Sequence, residues 1–292
     1  MKAIVFDSFG GPDVLHVAEV DVPQPGPGQV RLRIRAAAVN PIDYKIRSGA
    51  MQQVIPTTFP AIPGLEAAGV VDEVGPGVDG LKPGDEVIAF TDTGAYAEYA
   101  LATVVAPKPA LLSWDEAVAV PVAVETSERV LDLLAVKDGE TLLVHGATGG
   151  VGGVAVQLAV ARGAIVIGTA SAANHEYLRS LGAMPVAYGD GLVARVQAVA
   201  PQGVDAVFDA AGRGALPDSI ELRGGTTERI VTIADPAAQE FGVTFSPGGQ
   251  PRIVVPEHLR VSVAQTFPLA EAGRAQQVSA TSHTPGKLVI HP

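Results

Sequence analysis

Residues 141–171, TLLVHGATGGVGGVAVQLAVARGAIVIGTAS, contain two short apolar segments separated by a glycine-rich turn and a helix-like segment. The pattern predicts a strand at Thr141–His145, a helix from about Val151 to Arg162 and a second strand at Ile165–Thr169. A strand that leads through a glycine turn into a helix directs free backbone N–H groups and the positive end of the helix dipole toward one point. The stretch therefore predicts a pyrophosphate-binding turn in an α/β sheet.

The glycines of this turn follow the spacing Ala147-x-Gly149-x-x-Gly152. Gly149 and Gly150 allow the backbone to approach phosphates without a Cβ in the way, and Gly152 allows the helix to lie close to the sheet. The first glycine of the dinucleotide fingerprint is an alanine here, and a glycine-rich turn in an ordinary α/β domain is the alternative. The flanking apolar strands favour dinucleotide binding.

The end of the second strand indicates which dinucleotide binds. An NAD site normally has Asp or Glu about 20 residues past the glycines, to hold the ribose hydroxyls. Residues 170–173 are Ala-Ser-Ala-Ala, so no carboxylate would repel a 2′-phosphate, and Ser171 can donate a hydrogen bond to one. This favours NADP over NAD. The counter-charge is weak, because the next basic residue is Arg179, with His175 a poor substitute.

Composition excludes several classes of function. The 292 residues are 47% hydrophobic and carry a net charge of −11, which argues for a folded core and against a nucleic-acid partner. There is no cysteine, so disulfides, thiolate nucleophiles and cysteine-based zinc sites are absent. The six histidines are scattered, and we predict no metal site. Gly146–Ala161 is uncharged but shorter than the roughly 20 residues of a membrane span; we expect a cytoplasmic protein without membrane contact.

The pattern of elements changes at Ser113. Before it, short strands separated by Gly-Pro turns predict an all-β unit. Ser113 and Glu116 form a capping box that opens a helix, and strand–helix units follow to the end of a strand at Asp209 and beyond. Alternating strands and helices predict a doubly wound parallel sheet that binds its ligand at the carboxyl ends of the strands.

Motifs throughout the chain carry a family resemblance. They are NPIDYKIRSG (40–49), PGLEAAGVV (63–71), LKPGDEV (81–87), GAYAEY (94–99), the glycine turn, RSLGA (179–183) and GKL (286–288). The chain resembles the zinc-free quinone oxidoreductase (zeta-crystallin-like) branch of the medium-chain dehydrogenase/reductase superfamily. The resemblance implies an α/β fold: a GroES-like β domain formed by residues 1–112 and 262–292, and a Rossmann NADP-binding domain at 113–261.

The same resemblance implies an activity. Its members are NADPH-dependent reductases of quinones or α,β-unsaturated carbonyl compounds, usually cytoplasmic homodimers. Zinc-dependent relatives carry a cysteine near position 40 and a Gly-His-Glu motif, whereas Leu65 stands at the histidine position here. We therefore expect zinc-independent hydride transfer to a small-molecule electrophile.

Four residues are the catalytic candidates. The resemblance places Asn40, Lys45 and Thr126 around the nicotinamide. Asn40 and Lys45 are the candidate donors to the substrate oxygen, with Tyr44 in reserve as a proton donor. For Thr126 the alternative is a hydroxyl bonded to its own helix backbone.

Two carboxylates near these candidates have open interpretations. Asp43 could orient Lys45 or Arg47, or could form a surface ion pair with Arg47 at i, i+4 spacing. Glu66 is expected to be a structural carboxylate bonded to backbone N–H groups.

The cofactor residues are also taken from the resemblance. They are Ala147, Thr148, Gly149, Gly150 and Val151 at the pyrophosphate turn, Ser171, Asn174, His175 and Tyr188 near the 2′-phosphate, and Ala211.

One departure and two alternative functions stay open. Relatives have a further helix between residues 246 and 266, where this chain has three prolines, so we expect that helix to be shortened or missing, with consequences for the dimer interface. The chain could instead be an enoyl reductase acting on an acyl substrate. It could also be a non-catalytic NADPH-binding sensor.

Overall fold

A computed structural model describes residues 1–256, 259–281 and 285–292. Its framework is a seven-stranded, mostly antiparallel sheet, a six-stranded parallel sheet and a two-stranded N-terminal ribbon. The predicted class, a β unit followed by a doubly wound parallel sheet, is confirmed. No helix among the described residues is long and apolar enough to cross a membrane.

The first part of the chain is built from strands and one short helix. They are β1 (Lys2–Val5), β2 (His16–Glu19), β3 (Val30–Val39), α1 (Pro41–Arg47), β4 (Glu66–Val74), β5 (Glu86–Phe90), β6 (Tyr99–Ala102) and β7 (Val104–Pro107). The middle of the chain alternates helices and strands. These are α2 (Trp114–Val118), α3 (Pro121–Leu133), β8 (Thr141–His145), α4 (Gly150–Ala161), β9 (Ile165–Ala170), α5 (His175–Ser180), β10 (Met184–Ala187), α6 (Leu192–Val199), β11 (Ala206–Asp209), α7 (Leu216–Leu222), β12 (Ile230–Thr232) and β13 (Thr244–Phe245).

The end of the chain returns to the first sheet. Its elements are β14 (Val263–Pro268), α8 (Ala272–Thr281) and β15 (Lys287–His291). The order of the mixed sheet is β14-β15-β3-β4-β5-β7, with β6 also paired to β3. Strand β15 is antiparallel to β3, which is antiparallel to β4. The carboxyl end of β3 and the amino ends of β4 and β15 therefore lie at one edge of the sheet.

The parallel sheet has the order β10-β9-β8-β11-β12-β13. Counted within this unit, the order is the 3-2-1-4-5-6 arrangement of the doubly wound fold, so the strand order reverses between β8 and β11. All five residues of β8 are buried, because helices cover both faces of a central parallel strand. The expected ligand crevice lies beyond the carboxyl ends of β8 and β11.

Gly152 sets how closely α4 approaches the sheet. A Cβ added there would lie 2.2 Å from the carbonyl oxygen of Gly146, which cannot move without opening the turn. Gly146 itself has φ +69°, a left-handed conformation that favours glycine. The sequence-based prediction that Gly152 allows close helix–sheet packing is therefore confirmed by the contact.

The segment between β13 and β14 contains no helix among its described residues, 246–256 and 259–262. We call these residues the connecting segment. Ile253, Val255, Leu259 and Val261 are partly buried and pack against the main hydrophobic core. Within residues 252–255 and again within 259–261, partly buried and exposed residues alternate, as in an extended chain with one apolar face. The expected shortening of the usual helix agrees with the described residues.

Neighbouring glycines of α4 offer a matched test of this packing. We expect Gly152→Ala to lower the free energy of unfolding by roughly 1–3 kcal/mol, because the new methyl group collides with backbone. At Gly153 the nearest atom to an added Cβ is 3.6 Å away. Gly153→Ala is therefore expected to be neutral, or more stable by up to about 1 kcal/mol through helix propensity. Urea denaturation of both variants measures the difference; equal stabilities would contradict the close contact.

Candidate active site

The glycine turn lies between the two large sheets. Gly149 caps α4 and forms an isolated parallel bridge with Gly286, and the Gly286 N–H donates to the carbonyl oxygen of Thr148 at 3.1 Å. The predicted pyrophosphate residues Ala147, Thr148, Gly149, Gly150 and Val151 are thus all at the carboxyl end of β8 and the first turn of α4. This is the geometry that binds phosphate in doubly wound sheets.

A buried histidine supports the start of this turn. His145 Nε2 lies 3.0 Å from Ser219 Oγ, and Ser219 donates its hydroxyl proton to Ala215 O at 2.6 Å. Nε2 must therefore carry the proton that Ser219 accepts. Burial lowers the pKa of His145, which keeps the ring neutral. Its Nδ1 faces Thr169 Oγ1 at 3.4 Å, and this oxygen accepts the Gly146 N–H at 3.3 Å.

A buried polar cluster faces the glycine turn from the mixed sheet. It consists of Asn40, Glu66 and Lys287, which lie at the end of β3 and at the starts of β4 and β15. Lys287 Nζ donates to Glu66 Oε1 at 2.6 Å and to Asn40 Oδ1 at 2.5 Å. Asn40 Nδ2 donates to Glu66 Oε1 at 2.9 Å. The strand order predicts this meeting, but the sequence analysis did not identify Lys287 as a partner of Glu66.

The second oxygen of Glu66 binds a helix start. Glu66 Oε2 accepts the Val122 N–H at 2.8 Å. Pro121 occupies the first turn of α3 and has no N–H, so Val122 supplies a donor that the helix itself cannot satisfy. The prediction that Glu66 bonds to backbone N–H groups is confirmed for this oxygen, and the ion pair with Lys287 is an addition to it.

Lys287 also contacts the glycine turn directly. A Cβ added to Gly150 would lie 2.5 Å from Lys287 Cδ. The aliphatic stem of the lysine therefore passes over the bare Cα of Gly150. The polar cluster and the turn are in contact through this residue.

Asp43 lies deeper in the same unit, and its predicted partners are wrong. Asp43 Oδ2 accepts the Asn40 N–H at 2.8 Å and the Tyr96 hydroxyl at 2.9 Å, while Oδ1 has no hydrogen-bond partner among the described residues. The carboxylate pairs with neither Lys45 nor Arg47, and the proposed surface pair fails because both Asp43 and Arg47 are buried. Local i, i+4 spacing gave the wrong partner because β3 and the Tyr96 loop enclose the carboxylate.

Burial raises the pKa of Asp43 to about 7, an effect that the hydrogen bonds from Asn40 and Tyr96 only partly oppose. Arg47 instead binds Gln276 Oε1 at 2.7 Å and Gly10 O at 2.9 Å. Asp43 thus accepts a hydrogen bond from the backbone N–H of Asn40, while Glu66 and Lys287 bind its side-chain amide.

The remaining catalytic candidates differ in their surroundings. Lys45 and Tyr44 are half-buried and follow Asn40 on α1. Burial lowers the pKa of Lys45. No hydrogen bond or ion pair of the Lys45 ammonium is found among the described residues. Thr126 is 8% exposed, and the one partner of its hydroxyl in the described part of the chain is Glu125 Oε2 at 3.4 Å, not a backbone carbonyl. The alternative interpretation of Thr126 is therefore not supported.

The predicted 2′-phosphate residues follow neighbouring strands. Ala170 ends β9 and pairs with Ala187, which ends β10, so Ser171 and Tyr188 leave the sheet side by side. Asn174 and His175 begin α5, and the Nε2 atom of His175 is buried without a partner in the described residues.

The last predicted cofactor residue, Ala211, follows β11. Its N–H donates to Asp209 Oδ1 at 2.9 Å, and Asp209 Oδ2 accepts the Thr232 hydroxyl at 2.8 Å. Asp209 and Thr232 are fully buried and connect the loops after β11 and β12 at the floor of the crevice. The sequence analysis missed them, although a carboxylate at the end of an apolar strand was the available signal.

Within the described ranges, no group of three or more His, Asp or Glu side chains could hold a metal ion. A glycine turn at the carboxyl end of a doubly wound sheet, a second sheet and a buried polar cluster between them are the arrangement of an oxidoreductase of the two-domain dehydrogenase class. Residues 26–110 match the alcohol dehydrogenase GroES-like domain family, and residues 150–245 match the zinc-binding dehydrogenase family.

Similar proteins cover the whole chain. A 2-methylene-furan-3-one reductase of Solanum lycopersicum is 33% identical over 321 residues, which cover 100% of this chain and 79% of the relative. An NADPH-dependent alkenal/one oxidoreductase of Arabidopsis thaliana is 32% identical, with 100% and 80% covered. The quinone oxidoreductase structure from Coxiella burnetii has a TM-score of 0.85 at 31% identity, with 100% and 99% covered. The chain belongs to the quinone oxidoreductase branch of the medium-chain dehydrogenase/reductase superfamily.

The buried carboxyl of Asp43 predicts a dependence of stability on pH. Its pKa is about 7 in the folded protein against an ordinary value of 3.8, so between these values the folded state holds a proton that the unfolded state lacks. Its contribution to the unfolding free energy therefore falls as pH rises from about 4 to 7. Asp43→Asn should remove this slope, and Asp85→Asn, at a carboxylate bonded to Lys82 outside this site, should retain it. Urea denaturation at pH 5, 6, 7 and 8 measures both; an unchanged slope in Asp43→Asn contradicts the assignment.

The ion pair of Glu66 and Lys287 predicts strong coupling between the two residues. Lys287→Met leaves a buried carboxylate without its counter-charge and should lower the unfolding free energy by about 3–5 kcal/mol. The double variant Glu66→Gln/Lys287→Met should lose less than this single variant. Lys82→Met, at an 80% exposed lysine, is the control. Additive losses in urea denaturation would show that the two charges do not depend on each other.

Proposed function

We propose that this protein is an NADPH-dependent reductase of quinones or α,β-unsaturated carbonyl compounds. The observation that carries the proposal is the contact between the glycine turn and the cluster of Asn40, Glu66 and Lys287, which sets a dinucleotide site beside an oriented amide. The names of the tomato and Arabidopsis relatives describe reduction of enones or alkenals, and the second names NADPH as the reductant. The Coxiella structure adds quinones as a substrate class.

The residues at the turn fit a dinucleotide. A Cβ at Gly152 would collide with the carbonyl oxygen of Gly146, and Gly149 leaves the start of α4 without a side chain, while the space beside Gly150 is taken by the Lys287 stem. We assign Ala147, Thr148, Gly149, Gly150, Val151 and Ala211 to the diphosphate and nicotinamide end, and Ser171, Asn174, His175 and Tyr188 to the adenosine end. When bound, the cofactor supplies a hydride from its nicotinamide.

Asn40 is the proposed donor to the substrate oxygen. Because an ammonium can only donate and a carboxylate can only accept, Lys287 and Glu66 fix which end of the Asn40 amide is which. One Asn40 N–H remains, and its direction is set before substrate arrives. A donor held in this way stabilises negative charge on a carbonyl oxygen without reorganisation. Thr126 is the proposed side-chain contact to the nicotinamide.

Lys45 is the proposed proton donor. The burial that lowers its pKa makes the proton easier to release than that of an exposed lysine. Reduction of an enone or quinone places negative charge on oxygen, which must then take up a proton. Tyr44, its neighbour on α1, is the reserve donor.

From the resemblance to relatives we also propose a domain division, a homodimer and a cytoplasmic location. The proposed substrate domain comprises residues 1–112 and 262–292, and the proposed cofactor domain 113–261. The division is supported by the return of β14 and β15 to the first sheet. A homodimer and a cytoplasmic location are the expected states.

The direct test follows oxidation of NADPH and NADH at 340 nm with 1,4-benzoquinone, 9,10-phenanthrenequinone and a simple enone. We expect consumption of NADPH with one or more of these electrophiles. Asn40→Ala should reduce kcat by about 100-fold, the usual cost of losing one oriented donor. Lys82→Met should leave kcat unchanged. NADPH binding without consumption would overturn the proposal in favour of an acyl substrate or a non-catalytic sensor. An acyl thioester with a conjugated double bond separates these two.

A further inference from the structure

The adenosine end of the proposed cofactor site lacks an evident cation. Residues 170–173 are Ala-Ser-Ala-Ala, and Arg179, the next basic residue after His175, donates to Glu176 at 2.9 Å on the exposed side of α5. A 2′-phosphate binds here only if some positive charge offsets its own. With a net charge of −11, the protein as a whole opposes the binding of an anion.

Arg195 is a cation at this end that the sequence analysis missed. It lies on α6, and its guanidinium folds back over the loop that follows β10. Nε donates to Ala187 O at 2.9 Å, and Nη1 donates to Asp190 O at 2.7 Å. Nη2 donates to Gly189 O at 2.9 Å and to Tyr188 O at 3.3 Å. Four consecutive carbonyl groups therefore hold one guanidinium.

This binding orients Arg195 but does not neutralise it. Carbonyl oxygens carry partial charges, whereas an ion pair would supply a full negative charge. Arg195 has no carboxylate within ion-pair distance in the described residues, unlike Arg179, Arg162 and Arg229, which all have one. The Arg195 guanidinium is therefore oriented without an ion pair, although the loop of residues 187–190 also carries the exposed carboxylate of Asp190.

The loop is next to the site proposed for the 2′-phosphate. Ala187 and Ala170 are paired in neighbouring strands, which lie about 4.8 Å apart. Ser171 follows one of them and Tyr188 follows the other. Arg195 holds the carbonyl groups on both sides of the Tyr188 side chain, which is 53% exposed at this edge.

We propose that Arg195 determines the preference for NADPH over NADH, by placing its charge beside Ser171 and by fixing the loop that presents Tyr188 to the 2′-phosphate. This inference rests on the cofactor of the proposed function. It is independent of the electrophile, because it concerns binding of the nucleotide alone. Arg195 acts partly through Tyr188 and is in that respect a positioning residue.

The test compares dissociation constants for NADPH and NADH in the full chain, by titration calorimetry without an electrophile. We expect Arg195→Gln to weaken NADPH binding about tenfold, because one attraction between charges is lost, and to leave NADH binding within twofold. Arg195→Lys keeps the charge and should retain most of the preference. Arg179→Gln is the matched control, at an arginine whose charge Glu176 already compensates, and should behave like the wild type. Added salt should erode the NADPH preference of the wild type more than that of Arg195→Gln.

Three outcomes would overturn the inference. Equal weakening of both nucleotides in Arg195→Gln would show that the arginine only holds the loop. An unchanged preference in Arg195→Gln would show that the charge does not act on the 2′-phosphate. A wild type that binds neither nucleotide would remove the cofactor assignment itself, and the proposed function with it. If Arg195→Gln does not fold, Arg195→Lys and the salt dependence of the wild type decide the question.

Discussion

The rest of the structure depends on the buried ion pair between Glu66 and Lys287. Removing two charges from water is costly, and the attraction between them offsets that cost only when further hydrogen bonds satisfy both groups. Here Asn40 and the Val122 N–H supply those bonds. The four groups come from the end of β3, from β4, from β15 and from the start of α3, so the pair is stable only when the mixed sheet and α3 are both in place. The ion pair therefore forms only when the elements that line the cleft are correctly assembled.

The glycine turn has a second constraint beside phosphate binding. Gly150 must lack a side chain because the stem of Lys287 passes over it, and Gly286 pairs with the turn through Thr148. A glycine-rich fingerprint is ordinarily explained by the approach of the cofactor alone. In this protein the same glycine backbone also contacts the start of β15, which belongs to the mixed sheet. Substitutions at Gly150 are therefore expected to displace Lys287, and with it the amide of Asn40, as well as the proposed phosphate site.

Sequence reasoning was strongest where the signal is local. The strands and helix of residues 141–171 were predicted almost to their ends, since periodicity and glycine placement determine them. It failed where partners are distant: Lys287 and Glu66 are 221 residues apart, and Asp43 reaches Tyr96 rather than Arg47. Hydrogen bonds between strand ends produce no periodic pattern in the sequence. The i, i+4 spacing of Asp43 and Arg47 instead suggested an ion pair that the structure does not contain.

The connecting segment covers part of the main core without a helix among its described residues. An extended chain buries one side chain in two, so residues such as Ile253 and Val261 can cover the core with fewer residues than a helix requires. The backbone N–H and C=O groups of an extended segment need partners elsewhere, whereas a helix bonds them to one another. Gln157 on α4 solves this at one point, since its amide donates to Arg260 O and accepts from Arg260 N, both at 2.9 Å. The segment is thereby fixed to α4, whose first turn is the proposed phosphate site, and Lys287 N adds a contact by donating to Ser262 O at 2.8 Å. The connecting segment therefore contacts both α4 and the start of β15, the two elements that carry Gly150 and Lys287.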